Sequence, residues 1–210
     1  MRIVTSVLLA AMLPQLAQAA VVPNRFQATS EVLFESDQLG YASIGRTDLG
    51  SLDADLDSPA DGRVRTQVSA TASTFSVIST MGVSTDLNGR SSGWGVYDID
   101  GSQNVVVDWN WLDISLAGGW EIRNAANAVV ASFTFSAGNL VSTGGSFGSS
   151  ASGVASVALA AGQYKFVSIY QADTMPSGAQ VNFNFAAVPV PGTIVLLAAA
   201  GVVGVGRRRR

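Results

Sequence analysis

The sequence predicts an all-β protein, an antiparallel β-sandwich or jelly roll, flanked by an N-terminal signal peptide and a C-terminal transmembrane helix. Three observations predict it. Apolar residues recur at every second position through much of the chain, the period of half-buried strands. Gly, Ser and Asn, the residues of turns, separate these short runs. Between residues 20 and 187 no amphipathic helical pattern stands out.

Met1 to Ala19 has the parts of a secretory signal: Arg2 as the positive start, Ile3 to Leu13 as the apolar core, and Ala17-Gln18-Ala19 as a small-x-small cleavage site. An apolar run of about 11 residues before Pro14 is too short for a spanning helix, which needs ~20, so the mature chain is expected to begin at Ala20. Residues 20–187 then make one extracellular domain, long enough for a real core. Phe26 to Phe34 and Val64 to Thr80 are expected strands, the second rich in Ser, Thr and Val. Val105, Val107, Trp109 and Trp111 share a face, opposite Val106, Asp108, Asn110 and Leu112, and Gly118-Gly119 is expected to end that strand.

Trp120 to Arg123, a turn from Asn124 to Asn127, and Val129 to Phe135 read as a hairpin. Thr143 to Gly153 is Gly/Ser-rich and reads as a loop. Ala161-Gly162 turns the chain into Gln163 to Tyr170, a strand expected to cross the domain centre. In the last strand Val181, Phe183 and Phe185 face the core, with Asn182 and Asn184 opposite. No internal repeat of useful length marks a solenoid.

The C-terminal segment, residues 188–210, has three parts of its own. Pro189 and Pro191 withhold backbone donors, so a helix can begin only after Pro191. Gly192 to Gly206 is free of charge and largely apolar, and at 1.5 Å per residue its helix would be about 22 Å long, short of a ~30 Å hydrocarbon core. Arg207, Arg208, Arg209 and Arg210 then stop the chain on the cytoplasmic side, because carrying guanidinium groups through hydrocarbon is costly. An ordinary tail anchor is the plainer reading, against which the shortness of the helix argues.

The Pro-x-Pro element, short apolar helix and arginine cluster, after a signal peptide, together resemble the PEP-CTERM sorting signal of Gram-negative bacteria that make exopolysaccharide. The resemblance implies recognition of Pro189, Val190 and Pro191 by an exosortase-like membrane protease, transient anchoring in the membrane through the helix, and release to the cell surface or outside. Val190 stands where that family has Glu, a departure that bears on which protease matches rather than on the class. It covers the tail alone, and the body resembles no family.

All 15 acidic residues lie in residues 20–187 with only seven basic ones, a net charge of −8 that opposes phosphate backbones, so nucleic acid is not an expected partner. The chain has no Cys and no His. That removes zinc sites built on them, Ser-His-Asp and Cys-His nucleophiles, and imidazole acid–base work.

Three constellations remain. Asp53, Asp55 and Asp57 alternate, followed by Asp61, and would hold calcium if the segment curled, whereas an extended segment leaves them on one solvated face. No other cofactor is expected. Trp94, Trp109, Trp111 and Trp120 fall close together among carboxylates and amides, as sugar-binding faces do. Trp109 and Trp111 share the apolar face of their strand and read as core, which leaves Trp94 and Trp120, beside glycines, as the rings expected to meet carbohydrate. Asp98 with Asp100, or Asp108 with Glu121, would serve glycoside cleavage if about 5–9.5 Å apart. The first expectation is a non-enzymatic structural protein of the cell surface or extracellular matrix, associated with exopolysaccharide and biofilm. A carbohydrate-binding module, with calcium in the acidic segment, is the alternative, and a glycoside hydrolase the third.

Overall fold

Alternation decides the architecture. Along Gln103–Trp111 every odd-numbered residue is buried and every even-numbered one faces outward, so the expected face of Val105, Val107, Trp109 and Trp111 is the core face. The structure, a computed structural model, describes residues 21–34, 37–58, 61–83, 87–145, 147, 150–173 and 176–187. The predicted signal peptide, the spanning helix and the terminal arginines lie outside the described residues.

Among the described residues are thirteen strands and no helix: β1 Val21–Phe34, β2 Asp37–Arg46, β3 Gly50–Ser58, β4 Gly62–Ala70, β5 Thr74–Val83, β6 Asn88–Ile99, β7 Gln103–Trp111, β8 Ala117–Asn124, β9 Val129–Ser136, β10 Asn139–Thr143, β11 Ser152–Leu159, β12 Gly162–Ala172 and β13 Ser177–Ala187. They form two wholly antiparallel sheets, one of seven strands in the order β10-β9-β8-β12-β6-β1-β2 and one of six in the order β11-β7-β13-β5-β4-β3. β12 is the central strand of the larger sheet, as expected.

The sheets face each other over one core with two chemically distinct ends. Under β7, β8, β9, β12 and β13 it is aromatic: Trp111 lies 5.6 Å from Phe133 and 4.9 Å from Phe135, and Phe166 lies 5.2 Å from Phe183, between ring centroids. Phe26, Phe75 and Tyr97 carry the aromatic part onto β1, β5 and β6; towards β3 and β4 the core is aliphatic, with Val64, Val68, Val77 and Ala28 buried, and a layer of buried hydroxyls from Ser30, Thr66, Ser79 and Ser91 crosses it.

Two boundaries differ from expectation. Val64 to Thr80 is two strands, because the Thr71 hydroxyl accepts from the amides of Ser73 at 3.2 Å and Thr74 at 2.9 Å and turns the chain between β4 and β5. Gly118-Gly119 does not end β7 but lies inside β8, where Gly119 takes φ +139° and a Cβ would stand 2.4 Å from the Phe133 carbonyl oxygen. β7 ends instead at Leu112 to Leu116, where the Asp113 carboxylate accepts from the amide and hydroxyl of Ser115, each at 2.8 Å. The β8–β9 hairpin forms as expected, with Asn124 Oδ1 accepting from the amides of Ala126 and Ala128.

Candidate ligand-binding site around Trp94

β6 turns its even-numbered residues away from the core, and Trp94 is one of them, partly buried on the outer face of the seven-stranded sheet. Its register partners are Gln27 on β1 and Val167 on β12. Lys165 Nζ lies 4.6 Å and Arg25 Cζ 5.4 Å from the indole centroid, both within the ~6 Å reach of a cation–π contact. Beside the ring, towards β2, is a groove of about 400 Å³ lined by Trp94, Arg25, Gln27, Gly45, Arg46 and Thr47. Gly45 stands opposite Gln27 and places no side chain there, which leaves the depression. The Gln27 amide donates to the Ser43 hydroxyl at 2.6 Å, and Arg46 Nε donates to Asp48 at 2.9 Å. Hydrogen bonding from Arg46 holds the Asp48 carboxyl below its ordinary range. Burial, and then the positive charges of Arg123 and Arg25, hold the Lys165 ammonium below the ordinary lysine range. An aromatic ring, an amide and cations around an open groove can stack a sugar, bond its hydroxyls and meet an anion.

The sequence pattern alone does not bring the basic members of this group together. Their signal was present: Lys165 is the one lysine of the chain, and it alternates with Tyr164 and Phe166 on a strand whose other face is core.

Trp120 is a correction. Its ring is fully buried, 5.9 Å from Trp109, 5.2 Å from Phe147 and 6.2 Å from Phe183 between centroids, so no sugar reaches it. The glycines beside it let β9 come close instead of exposing the ring. Trp109 and Trp111 are buried as expected.

At the other end of the chain, residues 187–210 match the family model of the PEP-CTERM protein-sorting motif. The chain carries a PEP-CTERM sorting motif. The match spans Pro189, Val190 and Pro191, the apolar run and Arg207 to Arg210, all outside the described residues, and it holds with Val190 in the place of Glu. A PEP-CTERM motif implies exosortase processing at the membrane and export to the cell surface or extracellular space. No curated protein matches the chain.

In the body that precedes the PEP-CTERM motif, the acidic segment is extended rather than curled. Asp53, Asp55 and Asp57 occupy alternate outward positions of β3, the edge strand of the smaller sheet. Arg65 donates through Nε to Asp53 at 2.9 Å and Arg63 to Asp55 at 2.8 Å, and the second guanidinium nitrogens complete both ion pairs. Asp61 accepts from the Ser58 hydroxyl at 2.8 Å. Among the described residues no three acidic groups converge on a metal-sized site, so the curled calcium loop is not formed. An extended strand spaces alternate residues by nearly 7 Å, about twice its 3.4 Å rise, and two of the carboxylates already have guanidinium partners.

The carboxylate pairs fare likewise. Asp108 faces outward from the smaller sheet and accepts from Asn182 at 2.5 Å and Asn184 at 2.9 Å, whereas Glu121 faces outward from the larger sheet and holds Arg123 at 2.5 Å. They lie on opposite outer faces of the sandwich and cannot straddle one glycosidic bond. Asp98 is exposed and accepts from Asn24 at 2.7 Å and Gln163 at 3.0 Å, with Asp100 in the turn beyond.

Proposed function

We propose that this chain is a structural protein of the extracellular matrix or cell surface, left in the exopolysaccharide or biofilm layer after an exosortase-type protease has acted on its tail. The match of residues 187–210 to the sorting motif carries this reading. The physical sequence of events follows from the tail. Four arginines stall export, the short helix holds the chain in the bilayer, and the proline element outside it is exposed to a membrane protease. The body suits such a destination: without Cys or His, it needs no disulfide and holds no zinc site built on those residues. It is non-enzymatic on this reading, with Asp53, Asp55 and Glu121 held by arginines and Asp108 by asparagines. Intact mass of the protein recovered from its native host tests both ends. Loss of residues 1–19 and of everything after about Pro191 supports sorting, and retention of Gly192 to Arg210 defeats it. Replacing Arg207 to Arg210 with neutral residues should leave the precursor unsorted, and normal processing of that variant would refute the assignment.

A second reading, a carbohydrate-binding module, is favoured by one observation: Trp94 keeps part of its ring outside the core, beside an open groove. Affinity electrophoresis against the producer's own polysaccharide tests it, with retardation lost in Trp94→Ala.

A further inference from the structure

The outer face of the larger sheet carries a row of cations that runs across the strands. Arg25 on β1 and Lys165 on β12 are both register partners of Val96 on β6, and Lys165 is in turn the partner of Arg123 on β8. At ~4.8 Å per strand, the row from Arg25 to Arg123 spans about 14 Å. Three of the seven basic residues of an acidic body therefore stand in one line. Lys165 and Arg123 are like charges directly opposite on neighbouring strands, an arrangement that destabilises a sheet; burial first, and then the charges of Arg123 and Arg25, lower the lysine. Relief from within is partial: Glu121 is held by Arg123 at 2.5 Å, and among the described residues neither Arg25 nor Lys165 forms an ion pair with a carboxylate. In the next row across the same strands, Gln27, Trp94, Val167 and Glu121 stand side by side.

We infer that the Arg25, Lys165 and Arg123 row, with Trp94 and the groove beside it, binds an acidic polysaccharide whose sugars carry carboxylates, a polyuronate. The inference rests on the carbohydrate-binding reading of this face and adds the charge of the ligand. One small anion cannot reach cations spread over three strand spacings, whereas a chain with a carboxylate on each sugar can meet them in turn. Trp94 supplies the ring for the apolar side of a sugar and Gln27 an amide for its hydroxyls, which a polyphosphate would not use. The net negative charge of the body opposes any polyanion at long range. At physiological salt that repulsion is screened within about 8 Å, so the sign of the local row decides.

The test is affinity electrophoresis of the purified body in gels containing polygalacturonate, the same polymer after carboxyl reduction, or inorganic polyphosphate. Polygalacturonate should retard the protein, the retardation should fall as salt rises, and the reduced polymer should bind at least about tenfold more weakly. Arg25→Gln and Lys165→Gln should each weaken binding by about tenfold, the loss of one charge-assisted contact. Arg63→Gln, which removes the same charge from the other sheet, should leave binding unchanged. The thermal midpoints of the variants, measured alongside, show that each is folded. Equal binding of native and reduced polymer overturns the inference and leaves the carbohydrate reading standing. Binding to neither overturns both. Equal retardation by polyphosphate, or an Arg63→Gln loss as large as that of Lys165→Gln, reduces the effect to ion exchange and overturns the site.

Discussion

Ser30 on β1 and Thr66 on β4, both fully buried, sit 2.8 Å apart, hydroxyl to hydroxyl, one from each sheet. The contact continues on both sides. Ser30 donates to the Ala54 carbonyl at 2.6 Å, Thr66 to the Thr29 carbonyl at 2.7 Å, and Thr66 meets Ser91 at 2.6 Å, which meets Ser79 at 2.6 Å. Ser30 and Ser91 are register partners in one sheet, Thr66 and Ser79 in the other. The layer is thus two facing cross-strand pairs. Four hydroxyl protons are shared among these contacts, so not all are made at once. Slipping either sheet by one residue would bury apolar groups against these hydroxyls and leave them unpaired.

Thr66→Val keeps the shape of the side chain and removes the hydroxyl that joins the two pairs. Ser30 retains the Ala54 carbonyl and Ser91 retains Ser79, so the loss is partial. The expected destabilisation is about 1–3 kcal/mol. It should appear as a lower urea midpoint with an unchanged slope. A wild-type midpoint would remove the layer from the account of what holds the sheets together.

Small residues on the inward side of β6 let the facing sheet come close. A Cβ on Gly93 would stand 2.7 Å from a Val77 methyl and 2.8 Å from one of Val68. Both valines are fully enclosed and stiff at χ1, so they have little room to give. Gly93→Ala is expected to destabilise by about 1–3 kcal/mol through overpacking. Ser92→Ala, one residue earlier and on the outer face, should stay within about 0.5 kcal/mol. Equal thermal midpoints for the two variants would show that the sheets can part without cost.

Period-two patterns made much of this legible in the sequence. Val181, Phe183 and Phe185, or Val105 to Trp111, announce their faces because each inward residue is large and apolar. The hydroxyl layer left a weaker mark: Thr66 sits between Val64 and Val68, and Ser79 between Val77 and Met81, on the apolar parity of their strands. Trp120 reads as exposed because Gly118-Gly119 looks like a turn, whereas the backbone of β9 occupies the space a side chain would take. Lys165 stands out in the sequence as the one lysine, alternating with Tyr164 and Phe166, but its alignment with the other two cations does not. Arg25, Arg123 and Lys165 lie in distant strands, and only the strand order brings them into one line.

The edge strand β3 is guarded by charge, and that guard is sensitive to acid. Hydrogen bonds from Arg65 and Arg63 are the main reason that the Asp53 and Asp55 carboxyls titrate below their ordinary value. A depressed carboxyl stabilises the folded state above its unfolded pKa, near 4, and loses that contribution as the pH falls through the lower folded value. The thermal midpoint should therefore drop as the pH is lowered from about 4 towards 2. The double variant Asp53→Asn, Asp55→Asn should start lower at neutral pH and show a shallower drop. Parallel acid profiles for the two proteins would mean that other carboxylates govern the transition.

Trp94 and Trp120 look alike in the sequence, each next to glycine, and the structure separates them by environment. Trp120→Ala empties a fully buried site among Trp109, Phe147 and Phe183, and the expected cost is about 3–5 kcal/mol, enough to threaten folding. Trp94→Ala gives up two cation contacts on an outer face, worth roughly 0.5–1 kcal/mol each, and should leave a folded protein. Urea unfolding ranks the two directly. A larger loss for Trp94 than for Trp120 would place Trp94 in the core and remove the ring from the proposed ligand face. The predicted order instead leaves Trp94→Ala as a stable protein in which loss of glycan binding can be read without loss of the fold.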